Sequence, residues 1–230
     1  MNKKSAFEDA LDKSLERSKQ VTSLLGAVKD SVNGPNREYL YHLIMQAVEK
    51  SEKLTLGIRN LPAFTGHPRA QEHTQQAIRD NIKVQIGYTE QGWFSVQIPM
   101  LLPKKETGSA SYIRAILYPA MKRFFLVRKP VRHQECILIY RHVYDERRPE
   151  RAYRDHDNIE TNMVTDIVAL YVMEDDAARK CVHYYCSAAG DSDRTEVYVV
   201  PVSQFMQWLA MEKTFPKSGL HLLKDPKSAS

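Results

Sequence analysis

Apolar positions recur at helical spacing over the first eighty residues and then switch to a mixture of period-two runs and further helices, so the chain changes texture near residue 81. Residues 5–30 and 36–58 read as two helices joined by the turn signal Asn33-Gly34-Pro35-Asn36. In the second, Leu40, Leu43, Ile44, Ala47, Val48, Leu54 and Ile58 fall mostly on one stripe that needs a partner. The heptad is not sustained, which favours a hairpin packed within its own domain over a coiled coil. A short polar helix is expected at about 69–80.

From there Ile82–Tyr88 and Trp93–Pro99 alternate around Thr89-Glu90-Gln91-Gly92, the signature of strand, turn, strand. Ser109 or Ser111 can cap a helix carrying Ile113, Ile116, Leu117, Ala120 and Phe124, which Pro119 should end or kink. Residues 135–144 form a strand candidate whose run Cys136–Tyr140 suits a sheet interior. A helix with Ile159, Met163, Ile167 and Leu170 or Tyr171 on one face follows, then strands at about Lys180–Ala188 and Thr195–Val202, then an amphipathic helix over Ser203–Met211. Hairpins mixed with helical crossovers predict an α+β domain, a mixed sheet with helices on one side. The expected division is a helical extension over 1–80, the α+β domain over 81–212 and a C-terminal tail over 213–230. Tyr184, Tyr185, Tyr198 and Trp208 alternate as core and sheet-face residues do, which assigns them to packing before base stacking.

Composition agrees with a folded chain, since 43% of the 230 residues are hydrophobic and Gly and Pro are scarce. No apolar run reaches membrane-spanning length and the start lacks a signal-peptide core, so a cytoplasmic protein with no membrane partner is expected. Cys136, Cys181 and Cys186 are odd in number and fit reduced, structural thiols. Charge alters the picture more. The net charge is +5, but Lys122–Arg154 alone holds ten basic and four acidic residues, so the excess is concentrated there. A positive field of that kind suits a phosphate backbone, although a solvated basic face has the same composition.

That basic segment runs into Arg154–Asp176, which opens on Asp155, Asp157 and Asn158 and closes on Asp175 and Asp176. Asp157 with Glu160 makes a capping box, and one Asp-x-Asp is unremarkable in a chain of this length. A second aspartate pair at a fixed offset is rarer. A helix of about fifteen residues would hold the two clusters roughly 20 Å apart. They share a cation only if the chain turns back after Tyr171 into a strand beside the one feeding Asp155. His142, His156 and His183 are the nearest histidines in sequence and read as ordinary strand or loop residues. Asp166 is expected on the solvent side of its helix.

Over residues 92–201 the order strand, helix, strand, arginine-rich segment, Asp155-x-Asp157-Asn158, helix, Asp175-Asp176 and strand resembles the RusA family of Holliday junction resolvases. The resemblance leaves the first 90 and last 30 residues uncovered, and the whole layout is also that of a divergent bacterial branch to which no activity can be lent. It implies a homodimer that cleaves phosphodiester bonds of branched DNA with Mg²⁺ or Mn²⁺. Asp155, Asp157 and Asp176 would be catalytic, and with Asp175 would hold the metal. Arg147, Arg148, Arg151, Arg154 and Lys180 would contact branched or duplex DNA. The family carries a lysine three residues after the Asn, where this chain has Thr161; Arg154, Arg179 and Lys180 are the cations that could stand in. The alternative is a module of the same fold that binds nucleic acid or protein without cutting.

Overall fold

A computed structural model describes residues 5–147, 158–174 and 179–225. The chain divides into two compact units, 1–77 and 78–230. In the first, α1 (Ala6–Ser31) and α2 (Arg37–Phe64) form an antiparallel hairpin. Ser5 starts α1 with a full capping box, its hydroxyl accepting from Glu8 N–H while the Glu8 carboxylate accepts from Ser5 N–H. Asn36 starts α2 by accepting from Tyr39 N–H. The helices cross closely where Gly57 faces Ser14: a Cβ at 57 would stand 3.2 Å from the Ser14 hydroxyl. Leu43 and Ala47 of the predicted stripe are buried, whereas Ile44, Val48 and Ile58 are not covered by α1. Helix α2 also continues past the expected end at 58, through Pro62. Helix α3 (Ala70–Asn81) matches the polar helix read from sequence.

In the second unit the elements are β1 (Gln85–Tyr88), β2 (Phe94–Ile98), α4 (Ser109–Phe125), β3 (Cys136–Asp145), α5 (Asn162–Val172), β4 (Cys181–Gly190), β5 (Arg194–Pro201) and α6 (Phe205–Glu212). The sheet order is β1-β2-β5-β3-β4, with the β3–β4 pair parallel and the others antiparallel. The mixed α+β architecture predicted from the pattern is therefore the one found. Alternation assigns the two faces. Ile86, Val96, Leu138, Tyr140, Val197 and Val199 pack under α4 and α5 in the main core. Ile137, Ile139, Tyr198 and Val200 face the other way, against Trp208 of α6 and Phe215. Helices thus flank both faces rather than the one side expected, because the last helix returns to the side that α4 and α5 leave open.

Three other boundaries depart from expectation for tertiary reasons. Pro119 does not end α4, since Ile116, Leu117, Met121 and Phe124 bury one continuous face on both sides of it. Helix α5 begins at Asn162, three residues after Ile159, the first position of its apolar pattern, and the Glu160 carboxylate accepts from Met163 N–H at its start. The segment after Glu212, expected as a tail, packs as far as 225: Phe215 and Leu222 are buried and Leu223 pairs with Tyr88 through two 2.8 Å backbone bonds. Gly87 permits that closure, because a Cβ there would lie 2.3 Å from the Leu223 carbonyl oxygen. No helix among the described residues is long and apolar enough to cross a membrane.

Candidate nucleic-acid interface

Asp155, Asp157, Asp175, Asp176, Arg148, Arg151, Arg154 and His156 lie outside the described residues. Their described neighbours show where the chain leaves and returns. Asn158–Glu160 runs beside the segment after β2: Lys105 N–H donates to the Asn158 carbonyl, and Glu160 N–H to that of Pro103. At the far end of α5, Met173 bridges His133, and Glu174 N–H donates to the His133 carbonyl. Helix α5 has 11 residues, so these two borders are about 16 Å apart along its axis.

The return strand anticipated after Tyr171 exists as β4, and it does lie beside β3. Its direction is parallel. The start of β4 therefore neighbours the start of β3, with Cys136 N–H donating to the Lys180 carbonyl, while Arg147 follows the end of β3. Ten-residue strands separate those ends by roughly 30 Å. Of the predicted DNA-contacting residues that are described, Arg147 and Lys180 are not brought together. Arg147 is also engaged, its guanidinium and amide N–H donating to the Asp145 carboxylate. Lys180 is half exposed and its amine stands 3.9 Å from Glu174.

Thr161 is inward-facing at 4% exposure, and its carbonyl accepts both the Tyr140 hydroxyl at 3.0 Å and the Thr165 hydroxyl at 3.1 Å. Burial pushes the Tyr140 phenol well above its usual range, so it serves as a neutral donor. A cation placed at position 161 would enter this packed junction rather than solvent. His142 is likewise buried within β3, whereas His183 is exposed on β4 and Asp166 is exposed on α5, as expected.

The basic residues sort by structure in a way that their sequence order hides. Lys122 and Arg123 end α4, and Lys129 and Arg132 follow in the loop to β3, where Arg132 donates to the Leu170 carbonyl at the end of α5. Arg179 and Lys180 lead into β4 at the same end of the sheet. These six are all exposed or half exposed. Arg141, by contrast, points into the second face and is 5% exposed. Its Nη1 donates to Glu196 at 2.9 Å and its Nε to Glu212 at 3.1 Å. Glu196 also accepts from Arg194 Nε and the Tyr198 hydroxyl, both at 2.7 Å. Burial works against the Arg141 charge, yet Glu196 and Glu212 hold its ionisation above the ordinary value. Every Glu196 oxygen is thus used, and this network fixes α6 to the sheet rather than presenting a reactive carboxylate.

Sequence reading missed this network, although a charge inside each of the apolar runs "ILIYRHVY" and "EVYVV" was its signal, and Arg141 and Glu196 are register partners. Among the described residues no group of three or more His, Cys, Asp or Glu is arranged to hold a metal ion. The model for a family of unknown function (DUF6100) matches residues 2–222. The chain belongs to this family. In this DUF6100 member the match runs through both compact units, so the helical hairpin and the sheet are parts of one family pattern. No curated protein matches the chain.

Proposed function

We propose that this protein is a nucleic-acid-binding module whose contact surface is the basic end of the sheet at the start of β3 and β4. The observation that carries the reading is the gathering of Lys122 and Arg123 from the last turn of α4, Lys129 and Arg132 from the loop to β3, and Arg179 and Lys180 from the approach to β4. Phosphate contacts from such side chains need no base-edge geometry, and they make affinity fall steeply with salt. Branched DNA is the preferred substrate class on the RusA resemblance. A second reading, Mg²⁺- or Mn²⁺-dependent cleavage of that DNA, is favoured by the oxygen-donor set Asp155, Asp157, Asp175 and Asp176, which flanks α5 in the sequence. The buried Thr161 favours binding over cutting, because it takes the place of the cation that the resolvases use against the phosphate.

The experiment incubates the full chain with a labelled four-way junction, with and without Mg²⁺, beside Asp157→Asn. The expected result is retention of the junction at low salt with no new cleavage product. Metal-dependent cutting that Asp157→Asn abolishes would promote the second reading, and absence of retention at low salt would end both.

A further inference from the structure

Between α4, the approach to β1 and the C-terminal segment lies a cavity of about 320 Å³. That is room for on the order of ten water-sized groups, at the lower end of small-ligand sites. Its wall is Ile82, Val84, Ile86, Ile116, Ala120 and Phe124. Its rim is Lys83, Arg123, Arg128 and Lys224. The rim is assembled from three distant parts of the chain. Lys224 reaches it because Leu223 pairs with Tyr88 over the space that Gly87 leaves.

Three of the four cations are not neutralised locally. Lys83, Arg123 and Lys224 form no ion pair with a described residue. Arg128 lies over the Phe124 ring at 4.7 Å and spends Nη1 on the Phe124 carbonyl at 3.1 Å. Its Nε is buried without a hydrogen-bond acceptor, as Asp225 Oδ1 stands 3.4 Å away but out of line. Four cations against one carboxylate leave an excess of positive charge around the pit that a bound anion would offset. A buried donor without an acceptor adds to that cost.

The chemistry narrows the occupant. A wall of aliphatic groups with no side-chain acceptor cannot read the edge of a base, and Arg128 already covers the one aromatic face. Inorganic phosphate would leave the apolar wall bare. We propose that the cavity binds an aliphatic anion, its hydrocarbon chain against Ile82, Val84, Ile86, Ile116 and Phe124 and its phosphate or carboxylate head among Lys83, Arg123, Arg128 and Lys224. The proposal does not rest on nucleic-acid binding, although Arg123 belongs to both surfaces.

Calorimetric titration of the full chain tests it with octyl phosphate, octanoate, octanol, inorganic phosphate and adenosine monophosphate. At least one of the two aliphatic anions binds at one site per chain, and the stronger identifies the head group. Octanol and inorganic phosphate bind about tenfold more weakly or not at all, as loss of a charge-assisted contact or of the apolar chain implies. Ala120→Trp, which fills the cavity, and the exposed pair Arg123→Gln with Lys224→Gln each weaken binding about tenfold, with folding checked by thermal unfolding. Junction binding by Ala120→Trp in the same preparations persists, which separates this site from the basic surface. Failure of both anions to bind, octanol binding equally well, tighter binding of the mononucleotide, or full affinity in both variants would overturn the proposal.

Discussion

The hairpin and the sheet unit solve the burial problem in opposite ways. Along α1 and α2 only Ser14, Leu43 and Ala47 are buried, and the helices rely on their caps, on pairs such as Lys13 with Asp9, and on a close approach at Gly57. The sheet unit buries both faces, including Trp93, Trp208, Tyr140, Tyr144 and Tyr198 at under 2% exposure. Stability that comes from many long-range contacts is cooperative, whereas a two-helix hairpin depends on local terms that are individually small. The two units therefore differ in what breaks them.

The largest losses are expected in the sheet unit. Trp208→Ala opens the core under α6 and costs about 3–5 kcal/mol, read as a shift in denaturant midpoint. Glu196→Ala removes the buried carboxylate that Arg141 and Arg194 share, leaving Arg141 with Glu212 and Arg194 with Asp191, and costs about 3 kcal/mol, while Arg141→Met with Glu196→Leu recovers part of it. Recovery by the double variant would show that the pair specifies the arrangement more than it stabilises it. In the hairpin, Leu43→Ala costs about 2 kcal/mol, the low end for a buried leucine, because only Ser14 and Ala47 are buried with it along the helix pair. It should lower helicity while leaving near-ultraviolet dichroism of the sheet aromatics intact. Ser5→Ala removes the α1 cap for about 1 kcal/mol, seen as faster amide exchange in the first turn only.

The smallest effect sharpens the contrast by pH. Burial holds His133 below its ordinary value near 6.5, so as pH falls the unfolded chain takes up this proton first. The stability His133 contributes is complete above about 6.5 and is lost as pH falls through the lower folded value. Imidazole titration by NMR should give a folded value under 6.5, and His133→Gln should flatten that part of the stability profile. A folded value at or above 6.5 would contradict the assignment.

Much of the sheet was legible because its strands carry alternation and β-branched residues that local physics already favours, as in "FSVQI" and "EVYVV". What was not legible depended on distant partners. Pro119 lies within a helix because packing overrides a local rule, and α5 starts late because Asn158–Glu160 is drawn into pairing beside Pro103–Lys105. The basic end was half legible: the density of cations between 122 and 154 was plain, but not that Arg141 would turn inward while Lys180 joined from another segment. The cavity rim could not be read at all, since Lys83, Arg123 and Lys224 meet only through the Leu223–Tyr88 closure. The aspartates that prompted the metal reading lie outside the described residues, so their spacing in sequence is the whole of their support.

As proposed, the basic end of the sheet binds a polyanion. Fluorescence anisotropy of a labelled four-way junction across a salt series reads it directly, comparing the parent with a variant carrying Lys122→Gln, Lys129→Gln, Arg132→Gln and Lys180→Gln. Tight binding at low salt is expected, with a variant whose slope of log affinity against log salt is shallower by about three to four. A parent that does not bind at low salt, or a variant with an unchanged slope, would contradict it.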